Sequence, residues 1–501
     1  MNLFFEKNKK IEGFYLIAGY LGLITIFIGT MCLVPLLTLI FYPEEISEAK
    51  YFILPGVTSI LVGYFLYFFI RGKKRKNLQK NQDAIIILFS WVIAIFICAI
   101  PFVLTGNYNF SQAIFETTSG LSTTGLSVVD VTKTSHIFLI HRSTMLFVGG
   151  VGLVLIMTSA MSDSHGMRLY SAEGHSDKLV PNLMASARFI VLIYSAYIIA
   201  GIILYVIAGM PLFDAINHSI ASVSTGGFST KAESIGYYNS FSIEIITIIL
   251  MILGTTNFFV HLLLIKGKFK KYFLHCETKL LIFILAFVTP LLGFLFFKNF
   301  ELSLSESMRK SIFQLVSALS TTGFQTVDSF NNFPSSMLFI MTILMLIGGG
   351  AGSTAGGIKQ YRICLVFKSI IWNIKDQILN KNFIRTNTIN KYGEIEKVEK
   401  GVENYVIIYI IIYLCIFALG TFIFTLFGYS VENSMFEFSS ALGTVGLSVG
   451  ITSYDAHPIL HWTGTIGMFL GRLEIYVIFL GIWKLYHDSK LKMIKLIKKT
   501  N

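Results

Sequence analysis

The chain has 501 residues, 54% of them hydrophobic and 14% charged, with a mean hydropathy of +0.69; a soluble protein carries about 25% charged residues. This composition excludes a soluble globular domain and places the chain in a bilayer. The formal net charge of +12 does not indicate nucleic-acid binding, because the basic residues sit in particular loops, as topogenic charges do. The five cysteines, Cys32, Cys98, Cys276, Cys364 and Cys415, are scattered and never form a C-x-x-C pair. They support neither a disulfide framework nor a zinc site and are expected to pack as small apolar residues.

Apolar runs long enough to span a hydrocarbon core of about 30 Å lie at 14–41, 51–70, 84–104, 136–160, 186–209, 240–265, 278–297, 335–374 (interrupted), 402–427 and 462–485. That makes ten spans. The first run is too long for a signal-peptide core and no small-residue cleavage site follows it, so it is expected to stay in the mature protein. Lys7, Lys9 and Lys10 precede span one; Arg71, Lys73, Lys74, Arg75 and Lys76 follow span two. Lys266, Lys268, Lys270 and Lys271 follow span six, and Lys490, Lys492, Lys495, Lys498 and Lys499 close the chain. The positive-inside rule puts all of these, and both termini, on the cytoplasmic face. The acidic loop Pro43-Glu44-Glu45-Ile46-Ser47-Glu48 falls opposite. Binding of anionic lipid headgroups is a secondary role open to the same lysines.

Beyond residues 1–80, which hold the first two spans and a basic loop, one unit recurs four times: a span, a short segment, a T-x-G turn and a second span. The units are 81–165, 166–275, 276–400 and 401–501. Their short segments, Phe110 to Leu121, Leu212 to Val223, Met308 to Leu319 and Glu432 to Leu442, would each make a helix about 17 Å long, half the hydrocarbon thickness. Such a helix can only dip in and return. The turns that follow are Ser122-Thr123-Thr124-Gly125, Ser224-Thr225-Gly226-Gly227, Ser320-Thr321-Thr322-Gly323 and Gly443-Thr444-Val445-Gly446. Non-helical backbone at that depth is tolerated only inside protein or against water. Four helix C-termini, each carrying about half a negative charge, would converge on one axis, where a ring of carbonyls replaces a cation's hydration shell.

Two features break the four-fold pattern. Unit three carries Gly348-Gly349-Gly350-Ala351-Gly352-Ser353-Thr354-Ala355-Gly356-Gly357-Ile358-Lys359 inside its second span. It is no phosphate-binding loop, since the G-K-[ST] ending and a preceding strand are both missing. So many small residues melt a helix and are expected to form a flexible segment suited to a gate. Unit four places Arg472 in its last span, within Gly471-Arg472-Leu473-Glu474. A mid-membrane charge faces a cavity or a partner, and Glu474 is excluded as that partner because residues two apart on a helix do not meet. Asn257 and His261 are expected as interhelical hydrogen-bond partners, and Glu116 as a buried acceptor or a helix-start charge.

The turns, the glycine-rich insert and Gly-Arg-Leu-Glu together resemble the Trk/Ktr superfamily of potassium-translocating membrane subunits, over about residues 10–490. The extra N-terminal spans and Ser-Thr-Gly-Gly-Phe-Ser-Thr in unit two are similar to its Trk branch. The resemblance implies an all-α polytopic membrane protein that takes up K⁺ and is not an enzyme. It implies ion-binding filter residues Thr123, Thr124, Gly125, Thr225, Gly226, Gly227, Thr321, Thr322, Gly323, Thr444, Val445 and Gly446. The gate is then formed by Gly348, Gly349, Gly350, Gly352, Gly356, Gly357 and Arg472. The family further implies a bacterial inner-membrane homodimer with one pore per chain and a cytosolic regulatory partner that binds nucleotide, leaving no cofactor on this chain. Relatives with Ser at the first filter glycine favour Na⁺; Gly125 here argues for K⁺. Gly226 and the Gly443/Val445 pair depart from the other turns and make the ring less symmetric. A symporter coupling K⁺ to H⁺ or Na⁺ is the alternative on the same scaffold. A polytopic membrane enzyme lacks support, because no H-E-x-x-H, G-x-S-x-G or paired Asp is present.

Overall fold

The computed structural model describes residues 13–71, 82–152, 183–378 and 386–500. Lys7, Lys9, Lys10, Lys73, Lys74, Arg75 and Lys76, and the unit boundaries at 80/81 and 165/166, lie outside the described residues. The first apolar run forms α1 (Phe14–Leu33) and a 3₁₀ continuation, Val34–Ile40, and α2 (Ala49–Phe68) folds back beside it. Gly22 faces Gly63 and Gly29 faces Gly56, so closely that a Cβ on Gly22 or Gly63 would stand 2.7 Å from the partner's carbonyl oxygen. This pairing order makes the helices antiparallel. In lipid, where apolar contact alone does not drive association, such close backbone approach supplies the packing.

Unit one comprises α3 (Gln82–Leu104), α4 (Phe110–Leu121) and α5 (His136–Val151). Unit two comprises α6 (Leu183–Ile207), α7 (Leu212–Val223), α8 (Phe241–Thr255) and α9 (Phe258–Ile265), followed by the short α10 (Phe269–Leu274). Unit three comprises α11 (Cys276–Phe300), α12 (Leu304–Leu319), α13 (Ser335–Ile347) and α14 (Gln360–Ile378). Unit four comprises α15 (Lys400–Leu426), α16 (Val431–Leu442), α17 (Pro458–Arg472) and α18 (Ile475–Thr500).

Among the described residues, six helical segments are long and apolar enough to cross a membrane by themselves. Two of the expected spans are broken instead: α8 and α9 meet at 111°, and α17 and α18 at 99°. At the first break Asn257 caps α9 by accepting from the Phe259 amide at 2.7 Å; at the second Glu474 takes a positive φ of 56°. Arg472 therefore ends a helix at a bend rather than standing mid-helix as expected. Helices α5 and α13 are apolar but shorter, α13 stopping where the glycine-rich segment begins.

Among the described residues one antiparallel hairpin, β1 (Thr388–Lys391) and β2 (Glu394–Lys397), interrupts the helical pattern. Its two-residue turn, Tyr392-Gly393, has positive φ at both positions, 55° and 74°, as a tight hairpin requires. The apolar interior joins units two, three and four to part of unit one, and a second cluster packs α1 and α2 against unit one. Phe65, Phe287 and Leu419 are exposed on the outside, as lipid-facing side chains are. Cys415 is also exposed, so it does not pack in the interior as expected of it; Cys32, Cys98 and Cys276 are buried.

Candidate functional site

The short helices α4, α7, α12 and α16 each end in the same backbone pattern. Three of them start on a side-chain cap, Asn109, Ser303 or Ser430, which satisfies an orphan N–H of the first turn. At the other end the amide of the residue before the turn glycine donates back five positions: Thr124 to the Ser119 carbonyl at 2.9 Å, Gly226 to Ala221 at 2.9 Å, Thr322 to Ser317 at 3.0 Å, Val445 to Ser440 at 2.8 Å. Thr123, Thr225, Thr321 and Thr444 all take left-handed backbone, with φ of 55°, 54°, 57° and 52°. For a β-branched residue this conformation is an outlier and costs about 1–3 kcal/mol. Part of that cost is offset locally, since the Thr123 and Thr225 hydroxyls donate to the preceding carbonyls at 2.7 Å. The following glycines, Gly125, Gly227, Gly323 and Gly446, also have positive φ.

The four turns close on one another. A Cβ added to Gly125 would meet the Gly226 carbonyl oxygen, one on Gly227 that of Thr322, one on Gly323 that of Val445, and one on Gly446 that of Thr124. Each contact would be under 3.0 Å, a distance real Cβ atoms essentially never show. The chain thus passes from unit one to two to three to four and back to one. All twelve turn residues, from Thr123–Gly125 to Thr444–Gly446, are brought together in this ring, with Gly227 holding the usual glycine place and Gly226 standing where Thr124 and Thr322 stand.

Behind the ring runs a belt of buried polar side chains. Glu116, His218, Gln314 and Glu437 occupy one position in the four short helices, nine residues ahead of the turn glycine, and all are buried. Glu116 accepts from the Ser127 hydroxyl, from the Val128 amide at 3.0 Å and from Arg142 Nε at 2.8 Å. Arg142 also donates to the Ser229 carbonyl at 3.2 Å and lies 3.9 Å from the centroid of Phe228, joining unit one to unit two. Glu437 accepts from the Ser448 hydroxyl and the amides of Val449 and Thr452. His218 is bonded to Ser229 Oγ at 3.0 Å, while Gln314 donates to Thr326 Oγ1 at 3.4 Å. These groups hold the strand that leaves each turn.

On the other side of the ring lies the glycine-rich segment between α13 and α14. Its positive φ values at Gly348, Gly352 and Gly357 explain why the helix cannot continue, yet the segment is tied rather than loose. Thr354 is the hub: its amide donates to the Gly254 carbonyl at 3.3 Å and its hydroxyl to the Val223 and Gly254 carbonyls, and it receives a bond from Thr225 Oγ1 at 3.1 Å. The Gly356 amide donates to Thr321 Oγ1 at 2.8 Å, and Gly356 packs on Thr444. The Gly350 amide donates to the Thr255 carbonyl at 3.0 Å, the Ala351 amide to Glu277 at 2.8 Å, and Asn257 to the Ala351 carbonyl. The segment expected to be flexible is thus docked against the first threonines of three turns.

Arg472 reaches beneath it. Its guanidinium donates to the Thr354 carbonyl and to those of Gly149 and Gly150 at the end of α5. Glu474 instead pairs with Arg362 at 2.6 Å. His261 bonds Tyr197 Oη at 3.0 Å and the Leu253 carbonyl at 3.0 Å, an interhelical role away from the ring. Glu277, Arg142 and Glu437 escape notice in the sequence, and Thr354 stands there only as one residue of the glycine-rich run. Only Glu437 carries a local signal, the same frame relative to Gly446 as Glu116 has to Gly125; the others are joined to the ring by contacts between distant segments.

Residues 49–492 match the model of the TrkH family, described as cation transport proteins. The chain is 30% identical over 500 residues to an uncharacterized cation transporter of Methanocaldococcus jannaschii, covering 98% of each chain. It is 30% identical over 473 residues to the Trk system potassium uptake protein TrkH of Escherichia coli, covering 91% of this chain and 95% of the relative. The crystal structure of the potassium transporter TrkH from Vibrio parahaemolyticus superposes with a TM-score of 0.82 at 25% identity, over 94% of this chain and 98% of that one. With its apolar helices, its four repeated turns and a family match across most of its length, the chain is a multi-pass membrane protein, a transporter and not an enzyme, and belongs to the TrkH family of cation transport proteins.

Proposed function

We propose that this protein takes up K⁺ along the axis of the ring, with the carbonyls of Thr123–Gly125, Thr225–Gly227, Thr321–Gly323 and Thr444–Gly446 as the selectivity filter. The observation that carries this reading is the head-to-tail closure of four turns, each glycine against the carbonyl of the next. A closed ring of backbone oxygens at the C-terminal ends of four helices is the arrangement that substitutes for ion hydration. The choice of K⁺ over other cations rests on the relatives named as potassium transporters and on glycine at position 125.

The segment Gly348–Gly357, with Arg472 clamping it, acts as the gate: it docks on the filter threonines, so ions pass when it moves aside. A cytosolic nucleotide-binding partner biases that equilibrium, and two chains associate as a homodimer in the bacterial cytoplasmic membrane with both termini inside. No cofactor is required on this chain. Flux of K⁺ into proteoliposomes under an imposed voltage tests the reading. A channel follows the K⁺ electrochemical gradient alone, whereas uptake that also needs a gradient of H⁺ or Na⁺ identifies a symporter, and absence of K⁺ flux rejects both.

A further inference from the structure

Next to the docked segment a cavity of about 300 Å³ opens between α9, α10 and the hairpin. Lys266, Lys268, Lys271 and Lys391 line it with the rings of Phe259 and Tyr392, against the two carboxylates of Glu394 and Glu396. Lys271 holds Glu394 at 2.8 Å. Glu394 also lies within the field of Lys268, but four lysines face two carboxylates, so the lining keeps a net positive charge. Ile265, Phe269 and Phe273 are exposed beside it, interleaved with the lysines as in segments that lie at a membrane surface.

One wall of this cavity is also a wall of the glycine-rich segment. The Tyr392 ring packs 4.2 Å from that of Phe259, its hydroxyl accepts from Asn257 Nδ2 at 3.1 Å, and its amide donates to His275 Nδ1 at 3.1 Å. Asn257 donates as well to the Ala351 carbonyl. His275 Nε2 lies 3.1 Å from Glu277, whose other oxygen holds the Ala351 amide. The Ala351 carbonyl is thus held by Asn257, which bonds Tyr392 directly, and the Ala351 amide by Glu277, which reaches Tyr392 through His275.

We propose that this cavity binds a phosphate-bearing anion, and that its occupation shifts the Gly348–Gly357 segment through Tyr392, Asn257 and Ala351. Lysine ammonium groups take phosphate as point charges in such a setting, and the exposed apolar residues alongside favour the headgroup of an anionic phospholipid over a free phosphate. The coupling half rests on the gating reading above; the binding half does not.

The test uses the purified full chain, the double variant Lys266→Gln/Lys268→Gln, and Lys298→Gln, an exposed lysine in the last turn of α11, as control. Native mass spectrometry should find phosphatidylglycerol retained over phosphatidylcholine by parent and control, and retained about thirtyfold less by the double variant, as expected for two lysines near an anionic surface. Calorimetric titration with pyrophosphate forms the second arm. Lysine-dependent pyrophosphate binding without lipid preference keeps the site but assigns it a soluble ligand. Equal retention of both lipids together with no lysine-dependent pyrophosphate binding overturns the site. For the coupling, Tyr392→Phe keeps the ring and loses the acceptor for Asn257: ligand binding should persist while the dependence of K⁺ flux on the ligand disappears. If that dependence survives in Tyr392→Phe, the route through Tyr392 is wrong; if no variant conducts at all, the pore reading fails while the binding result stands.

Discussion

The cost of the ring is borne by single residues, and substitution measures it. Gly323 has no room for a Cβ, because the Val445 carbonyl occupies that space, and its φ of 81° is unfavourable for any L side chain. Gly323→Ser should lower the preference for K⁺ over Na⁺ in flux competition and destabilise the protein by about 1–3 kcal/mol through overpacking. Unchanged selectivity in a normally inserted variant would dissociate Gly323 from ion coordination. Glu116 and Glu437 hold equivalent strands with different partners, a cation at Glu116 and neutral donors at Glu437. Glu116→Ala leaves Arg142 buried without its carboxylate, at a cost of about 3–5 kcal/mol. Glu437→Ala leaves only neutral donors unmet, at about 1–3 kcal/mol. Denaturant unfolding in detergent should rank the two variants in that order. Equal loss would mean that Arg142 finds another anion or water.

The docked segment is an element whose position depends on a few bonds. Thr354 joins it to Thr225, Val223 and Gly254, and Arg472 clamps its carbonyl to those of Gly149 and Gly150. Thr354→Val preserves shape and removes the hydroxyl, so K⁺ uptake should rise in the absence of any partner, with selectivity kept. Arg472 brings two separable properties, a positive charge and a planar fork that serves three carbonyls. Near an effective dielectric of 20, a unit charge about 4 Å from an ion is worth about 4 kcal/mol, so Arg472→Ala should speed uptake. Arg472→Lys retains the charge but not the fork. Uptake near that of the parent would assign Arg472 to an electrostatic barrier, and uptake near that of Arg472→Ala to the clamp; the three carbonyl contacts favour the second outcome.

Across the whole molecule, the α1–α2 pair supplies no residue of the ring; it packs on unit one in an apolar cluster that also takes in Leu473 and Ile478 of unit four. Gly63→Leu should therefore separate the pair, lower the thermal midpoint of the detergent-solubilised protein and leave ion selectivity unchanged; altered selectivity would show that this pair supports the ring directly. The sequence by itself determined that the chain lives in a bilayer, that a unit recurs, and that short helices end at T-x-G turns, because length, hydropathy and turn chemistry are local properties of a chain in lipid. Glycines mark the turns for the same reason. It did not reveal the left-handed threonines that precede those glycines, since no propensity puts a β-branched residue there; only closure of the ring enforces it. Nor did it reveal the bends at Asn257 and Arg472, the hairpin against α9, or the docking of a segment that composition reads as loose. Those depend on which carbonyls from distant units come within reach of Thr354, Arg472 and Glu277. In a low-dielectric interior every exposed backbone group must find a partner, and the identity of that partner is decided by the tertiary structure alone.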